Sequence, residues 1–183
     1  MITEEINFTL KDGRAATLRS PREEDIEGTR AYLIKSSGET HFLLRYPEEC
    51  KNFTYELEKT IFDDMNSSAN GAMLVCAVDG KIAGTCTITQ DKWIKTRHRA
   101  NIAVALLSEY CGQGIGSKML EALIEIAGKM QYVEQIELEY IEGNSRARAL
   151  YEKFGFRIVG VHPDAIKLKD GTYLNEYLMI KKL

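Results

Sequence analysis

The sequence predicts a single mixed α/β domain, a mixed sheet with helices on its faces. Three observations lead there. Two apolar runs, Ala72–Val78 and Lys81–Thr89, flank Asp79-Gly80, the strongest hairpin signal in the chain. A second pattern runs from an apolar strand, Asn101–Leu107, through a glycine loop into a helical repeat over Met119–Ala127. Then Tyr132–Ile141 alternates as a strand does, and Asn144 opens a short helix that Gly155 closes. The 183 residues suffice for one domain, 1–183, with a sizeable core.

Taken in order, Phe8–Leu10 and Ala16–Arg19 are short strands around Asp12-Gly13, a hairpin. Ser20-Pro21-Arg22-Glu23 reads as a helix start, with Ser20 as cap, Pro21 at the first helical position and Glu23 completing a capping box. That helix is expected to reach about Lys35, where Ser36-Ser37-Gly38 breaks it. Glu39–Asn52, with Phe42, Arg45, Tyr46 and Pro47, reads as a loop suited to line a pocket. A second amphipathic helix follows from about Phe53 to Met65, then the polar break Asn66–Gly71. Beyond the central hairpin, Lys92–Arg99 is a basic connecting loop that carries Trp93. After Gly155, Phe156–Val161 and Tyr173–Ile180 are strands on either side of a Gly171-Thr172 turn. The order is ββ-αα-βββ-α-β-α-ββ.

Composition narrows the class. Hydrophobic content of 44% and charged content of 28% are those of an ordinary soluble globular protein. A net charge of −3 argues against nonspecific nucleic-acid binding, which usually shows a basic face. No apolar run approaches membrane-spanning length. The start, Met1-Ile2-Thr3-Glu4-Glu5, is acidic and lacks the basic-then-apolar order of a secretory leader. Cys50, Cys76, Cys86 and Cys111 form no CxxC pair and read as reduced thiols of a cytoplasmic protein. His41, His98 and His162 are too dispersed for metal ligation, so no metal is expected.

The loop Cys111-Gly112-Gln113-Gly114-Ile115-Gly116-Ser117 carries the first chemical signal. Alternate glycines let the backbone turn sharply and leave amides bare at a helix start, where unpaired donors and the helix dipole suit phosphate. It is not a nucleotide P-loop, because Ser117 stands where that motif needs its second glycine. Nor is it a dinucleotide fingerprint: the spacing is G-x-G-x-G, and the upstream chain does not alternate strand and helix.

A second segment, Asn144-Ser145-Arg146-Ala147-Arg148-Ala149-Leu150-Tyr151-Glu152-Lys153-Phe154-Gly155-Phe156, gives that loop its context. Together the two resemble the GNAT superfamily of acetyl-CoA-dependent N-acetyltransferases, from about Ala16 to the C-terminus. The loop is similar to the family's pyrophosphate loop, and the second segment to its Asn-x-x-Ala-x-x-Leu-Tyr-x-x-Phe-Gly-Phe pattern. One residue departs: Cys111 stands where the family usually has Arg or Gln, so a flanking cation is missing, and Lys118 is a candidate substitute.

The resemblance implies a GNAT-like fold, with a mostly antiparallel central sheet and one splayed parallel strand pair around Ala103 and Leu138. It implies acetyl-CoA as acyl donor and no metal. The pantetheine arm would pair with backbone at Val104, Ala105 and Leu106. Cys111, Gly112, Gln113, Gly114, Ile115, Gly116 and Ser117 would hold the pyrophosphate, and Asn144 would touch the cofactor arm while capping its helix. A backbone N–H near Leu106 would stabilise the oxyanion, and Tyr151, at the family's tyrosine position, would protonate the leaving thiolate.

Candidates for the general base stay open: Glu109, or Glu137 and Glu139, which share one strand face, or a water relay. Asn101 cannot act as a base. Phe42, Arg45 and Tyr46 are candidates for acceptor binding, and Asp164 and Glu176 for attracting a cationic amine. The leading expectation is acetyl transfer to a small amine or amino acid. The alternatives are acetylation of a protein N-terminus or lysine, and a non-catalytic acyl-CoA sensor. Dimerisation is common in the family, and nothing in the sequence decides whether this chain is a homodimer.

Overall fold

The computed structural model describes all residues, 1–183. Eight strands form one sheet: β1 (Ile6–Thr9), β2 (Ala15–Arg19), β3 (Gly71–Val78), β4 (Lys81–Gln90), β5 (Arg99–Leu106), β6 (Gln135–Ile141), β7 (Arg157–Lys167) and β8 (Tyr173–Lys182). Their spatial order is β1-β2-β3-β4-β5-β6-β8-β7. Every pairing is antiparallel except β5–β6. Helices α1 (Ile26–Glu39), α2 (Pro47–Cys50), α3 (Tyr55–Ser67), α4 (Ile115–Lys129) and α5 (Ser145–Lys153) complete the fold. α1 packs on β4, α3 on β3, and α4 on β3, β4 and β5.

Helix α4 shows why these residues fold this way. Ile115, Met119, Leu123 and Ile126 recur at helical spacing and are buried, as are Leu120 and Ala127. Burying each large side chain contributes about 1.5–3 kcal/mol, which anchors the helix across the centre of the sheet. At the central hairpin, Asp79 and Gly80 both take positive φ (50° and 74°), the turn that matches strand twist. All four cysteines are free. No helix is long and apolar enough to cross a membrane.

Five local expectations fail. Ser20 does not cap a helix: its Oγ accepts the Thr3 N–H at 2.9 Å. A short 3₁₀ turn, Glu23–Asp25, precedes α1 instead. There Asp25 accepts the Arg22 N–H and pairs at 2.6 and 2.9 Å with Arg19, both side chains buried. A buried two-pronged pair outweighs the weak preference of an exposed cap. Nor does Ser36-Ser37-Gly38 end the helix, since α1 runs on to Glu39. Ser36 donates to the Leu33 carbonyl at 3.2 Å and Ser37 lies 3.2 Å from Cys50 Sγ, so packing carries the helix through residues of modest propensity.

The segment read as a loop contains α2, started by Pro47, with the Glu49 carboxylate accepting the Tyr46 N–H at 2.7 Å. At the other end of the chain, β6 begins at Gln135 rather than Tyr132, where φ is +72°. β7 passes Val161 and reaches Lys167 through an irregularity between His162 and Ile166.

Candidate active site

The parallel pair β5–β6 is joined at only three positions: Arg99 with Gln135, Ala100 with Ile136 and Asn101 with Glu137. Beyond them the strands part. β5 stays paired with β4 as far as Leu106, and β6 with β8 as far as Ile141. The facing edges of Ile102–Leu106 and Leu138–Ile141 therefore have no strand between them.

Backbone direction within this wedge follows from two bonds. Leu107 N–H donates to the Ala83 carbonyl and Asp91 N–H to the Arg99 carbonyl, each at 3.0 Å. Strand alternation then turns the N–H and C=O groups of Ile102, Val104 and Leu106 into the wedge, and those of Ala103 and Ala105 toward β4. Of the expected backbone contacts, Val104 and Leu106 thus present theirs to the wedge and Ala105 does not. Gly84 makes this strand end possible. A Cβ there would lie 2.3 Å from Leu106 Cδ2 and 2.5 Å from the Ala105 carbonyl oxygen.

β5 leads through Leu107 and a 3₁₀ turn, Ser108–Tyr110, to the glycine loop. Gly112 and Gly114 take φ of 81° and 98°, and Gly114 is the N-cap of α4. A Cβ on either would meet no protein atom within 4 Å, so the space before the loop is open. No acidic side chain occupies the first turn of α4. Bare amides, positive φ and open space together suit a phosphate group.

That space is a cleft of about 520 Å³. Leu106, Cys111, Gly112, Gln113, Gly114, Gly116 and Ser117 line it. Val104, Ala105, Ile115, Asn144 and Tyr151 are not in its lining, and the Ile115 side chain is wholly buried. Lys11, Lys118, Arg146 and Lys153 also line it, with no Asp or Glu. Sequence reasoning missed Lys11, Arg146, Lys153 and Gly84. Arg146 lay inside the quoted motif, but nothing marked Lys11. The Gln113 side chain serves as a staple: its Oε1 accepts the Asp12 N–H at 3.2 Å, and its carbonyl accepts the Lys11 N–H at 3.4 Å.

Asn144 caps α5, its Oδ1 accepting the Ala147 N–H at 3.2 Å. Tyr151 follows two turns on, 7% exposed, with its ring centroid 6.1 Å from that of Phe156. Burial pushes its phenol up to about 12, so it holds its proton throughout the physiological range.

The carboxylates differ sharply. Glu109 is bound by Lys35 at 2.5 Å, which holds its carboxyl below the usual range. Glu137 is buried and accepts from Gln135 at 2.6 Å, with Arg99 at 3.5 Å. Glu139 is exposed, makes no ion pair, and stands two residues past the last β5–β6 rung. Its neighbour Glu176 is pushed up by burial and then by the Glu139 charge, against a smaller opposing pull from His162. Asp164 lies in the β7 irregularity at φ +52°.

Residues 40–50 form a strap. Phe42 lies against Gly143, just past β6, within 3.6 Å of where a Cβ would stand. Tyr46 Oη accepts the Lys169 N–H at 3.1 Å, the Lys169 ammonium sits 4.1 Å from the Tyr46 ring centroid, and Glu48 pairs with Lys169. The strap thus spans from the end of β6 to the β7–β8 hairpin. Arg45 stacks over Phe53 at 5.0 Å and faces the buried Glu58.

The acetyltransferase (GNAT) family profile matches residues 39–156. The L-amino acid N-acetyltransferase AaaT of Escherichia coli is 29% identical over 108 residues, which span 59% of this chain and 66% of that one. Under two thirds of that relative's length is therefore paralleled here. A GNAT acetyltransferase structure from Streptococcus pneumoniae superposes with a TM-score of 0.86 at 28% identity, covering 92% of this chain and 99% of that one. YncA of Salmonella typhimurium, solved with its cofactor acetyl-CoA, has the same fold at 16% identity, with a TM-score of 0.78 and coverage of 92% and 94%. With its three-rung parallel pair, glycine loop and matching profile, the chain belongs to the acetyltransferase (GNAT) family.

Proposed function

We propose that this chain moves an acetyl group from acetyl-CoA to the nitrogen of a small primary amine or amino acid. The observation that carries the donor is the wedge itself. Two strand edges part for several residues, and the opening leads into a cleft floored by bare amides and walled by cations. A pantetheine arm carries amides that can pair with such an edge, and a diphosphate suits the loop.

The strap supports a small acceptor. It is fastened to the β7–β8 hairpin by a hydrogen bond, an ion pair and a ring contact, and so closes one side of the route by which a peptide would reach β6. Glu139 and Glu176 together favour a cationic amine. The relative acting on L-amino acids agrees with this acceptor size.

Each step needs a residue. The amine attacks only when neutral, and Glu139, the carboxylate left unpaired, takes its proton directly or through water. As the C–N bond forms, negative charge gathers on the carbonyl oxygen, and a wedge-facing N–H of β5, at Val104 or Leu106, donates to it. As the C–S bond breaks, Tyr151 gives its proton to the departing sulfur, and the proton that the nitrogen sheds on becoming an amide restores the phenol through water. The desolvation that raises Tyr151 also raises a thiolate beside it, which keeps the transfer feasible.

A panel of amino acids, polyamines and short peptides, assayed for free thiol release with acetyl-CoA, tests the reading. Turnover of small amines and silence on peptides is expected. Peptide turnover with silence on small amines overturns the acceptor class, and silence throughout with tight acetyl-CoA binding overturns the enzymatic reading. Tyr151→Phe should lower kcat about a hundredfold while leaving acetyl-CoA affinity unchanged. Unaltered kcat would remove Tyr151 from the reaction.

A further inference from the structure

The cleft before the glycine loop carries more positive charge than a diphosphate needs. Lys11, Lys118, Arg146 and Lys153 line it without an acidic residue, in a chain whose net charge is −3. Lys118 is bound by Glu121 at 2.7 Å. The other three form no ion pair within the chain, although they come from two separate elements, the β1–β2 turn and α5.

The β1–β2 turn is held over the loop. Gln113 accepts from the backbone N–H groups of both Lys11 and Asp12, so the turn and the loop form one wall. The Asp12 carboxylate is engaged by Arg14 at 2.7 Å. Its charge is spent there, and Lys11 faces the cleft uncompensated. Three uncompensated cations around one opening repel each other, and an anion held among them relieves that repulsion. A diphosphate carries about two charges and has the loop amides and helix dipole to itself. A phosphomonoester carries nearly two more at neutral pH.

We propose that Lys11, Arg146 and Lys153 form a separate site for a phosphomonoester, the ribose 3′-phosphate of coenzyme A. The chain thereby selects coenzyme A over its dephospho form and replaces the flanking cation that Cys111 does not supply. The proposal rests on the donor reading above. The β1–β2 turn becomes a part of the donor site that reads the far end of the cofactor.

Calorimetric titration with CoA and with dephospho-CoA tests it. Wild type should bind CoA about tenfold more tightly or better, as expected for charge-assisted bonds to one phosphate. Lys11→Ala and Arg146→Ala, both at exposed positions, should each shrink that ratio by weakening CoA alone. The ratio should also fall as salt rises. Equal affinity of wild type for the two ligands, or variants that weaken both alike, would overturn the proposal and leave the donor reading intact. Binding of neither ligand would overturn the donor reading and this proposal with it. Inorganic phosphate competing with dephospho-CoA as strongly as with CoA would show that the cations serve the diphosphate, and would also overturn it.

Discussion

Glu58, on α3, bears the one carboxylate oxygen that is wholly buried without a hydrogen-bond partner. Burial pushes its carboxyl up, against a weaker pull from Arg45 and Arg30. The folded state therefore holds this proton more tightly than the unfolded chain does. Its contribution to stability is fully present below the ordinary carboxylate range and is lost as pH rises through the shifted value. Glu58→Leu should stabilise the protein by about 1 kcal/mol at pH 7, with the gain shrinking toward pH 4. Thermal melts across that range check it, and a variant less stable at pH 7 would mean that the carboxylate is held by Arg45. Single residues were unevenly legible in the sequence. Gly112, Gly114 and Asn144 announced themselves because backbone chemistry demands those residue types. Lys11 and Glu58 look like ordinary surface charges until the fold sets one beside a cleft and buries the other.

At the scale of elements, the glycine loop makes the clearest prediction. Gly114 sits at φ +98°, where a side chain costs about 1–2 kcal/mol, and its Cβ would enter the open space before the amides. Gly114→Val should weaken acetyl-CoA about a hundredfold, the loss of two charge-assisted bonds, while the protein stays folded. Calorimetry returning wild-type affinity would refute the loop's role. The central hairpin, this loop and α5 were readable because turn chemistry is local. The start of α1 was not, because Asp25 found a buried partner in Arg19, six residues before it, and so displaced Ser20. The end of α1 was hidden for a like reason. Glu39 accepts the Ser108 N–H at 2.7 Å, a contact 69 residues away that rewards one more turn of helix. The extra length of β7 depends on β8, which pairs with it as far as Lys167 and Tyr173.

For the whole molecule, the strap joins parts of the chain that sequence cannot bring together. Tyr46 and Lys169 are 123 residues apart. Tyr46→Ala should release the strap, raise KM for a small amine about tenfold, admit bulkier amines, and leave acetyl-CoA affinity within about twofold. Steady-state kinetics decide this, and an unchanged KM would mean that the strap does not border the acceptor. Through Lys35 with Glu109 and Glu39 with Ser108, the same strap is tied by α1 to the turn before the glycine loop. The three rungs of β5–β6 have a further consequence as a joint. Five strands lie on one side of the seam and three on the other, and those rungs are the sheet's only backbone seam between them. A donor lying in the opening mends the seam. It would work as a rivet, adding a second fastening between two halves that the three rungs already hold in one sheet.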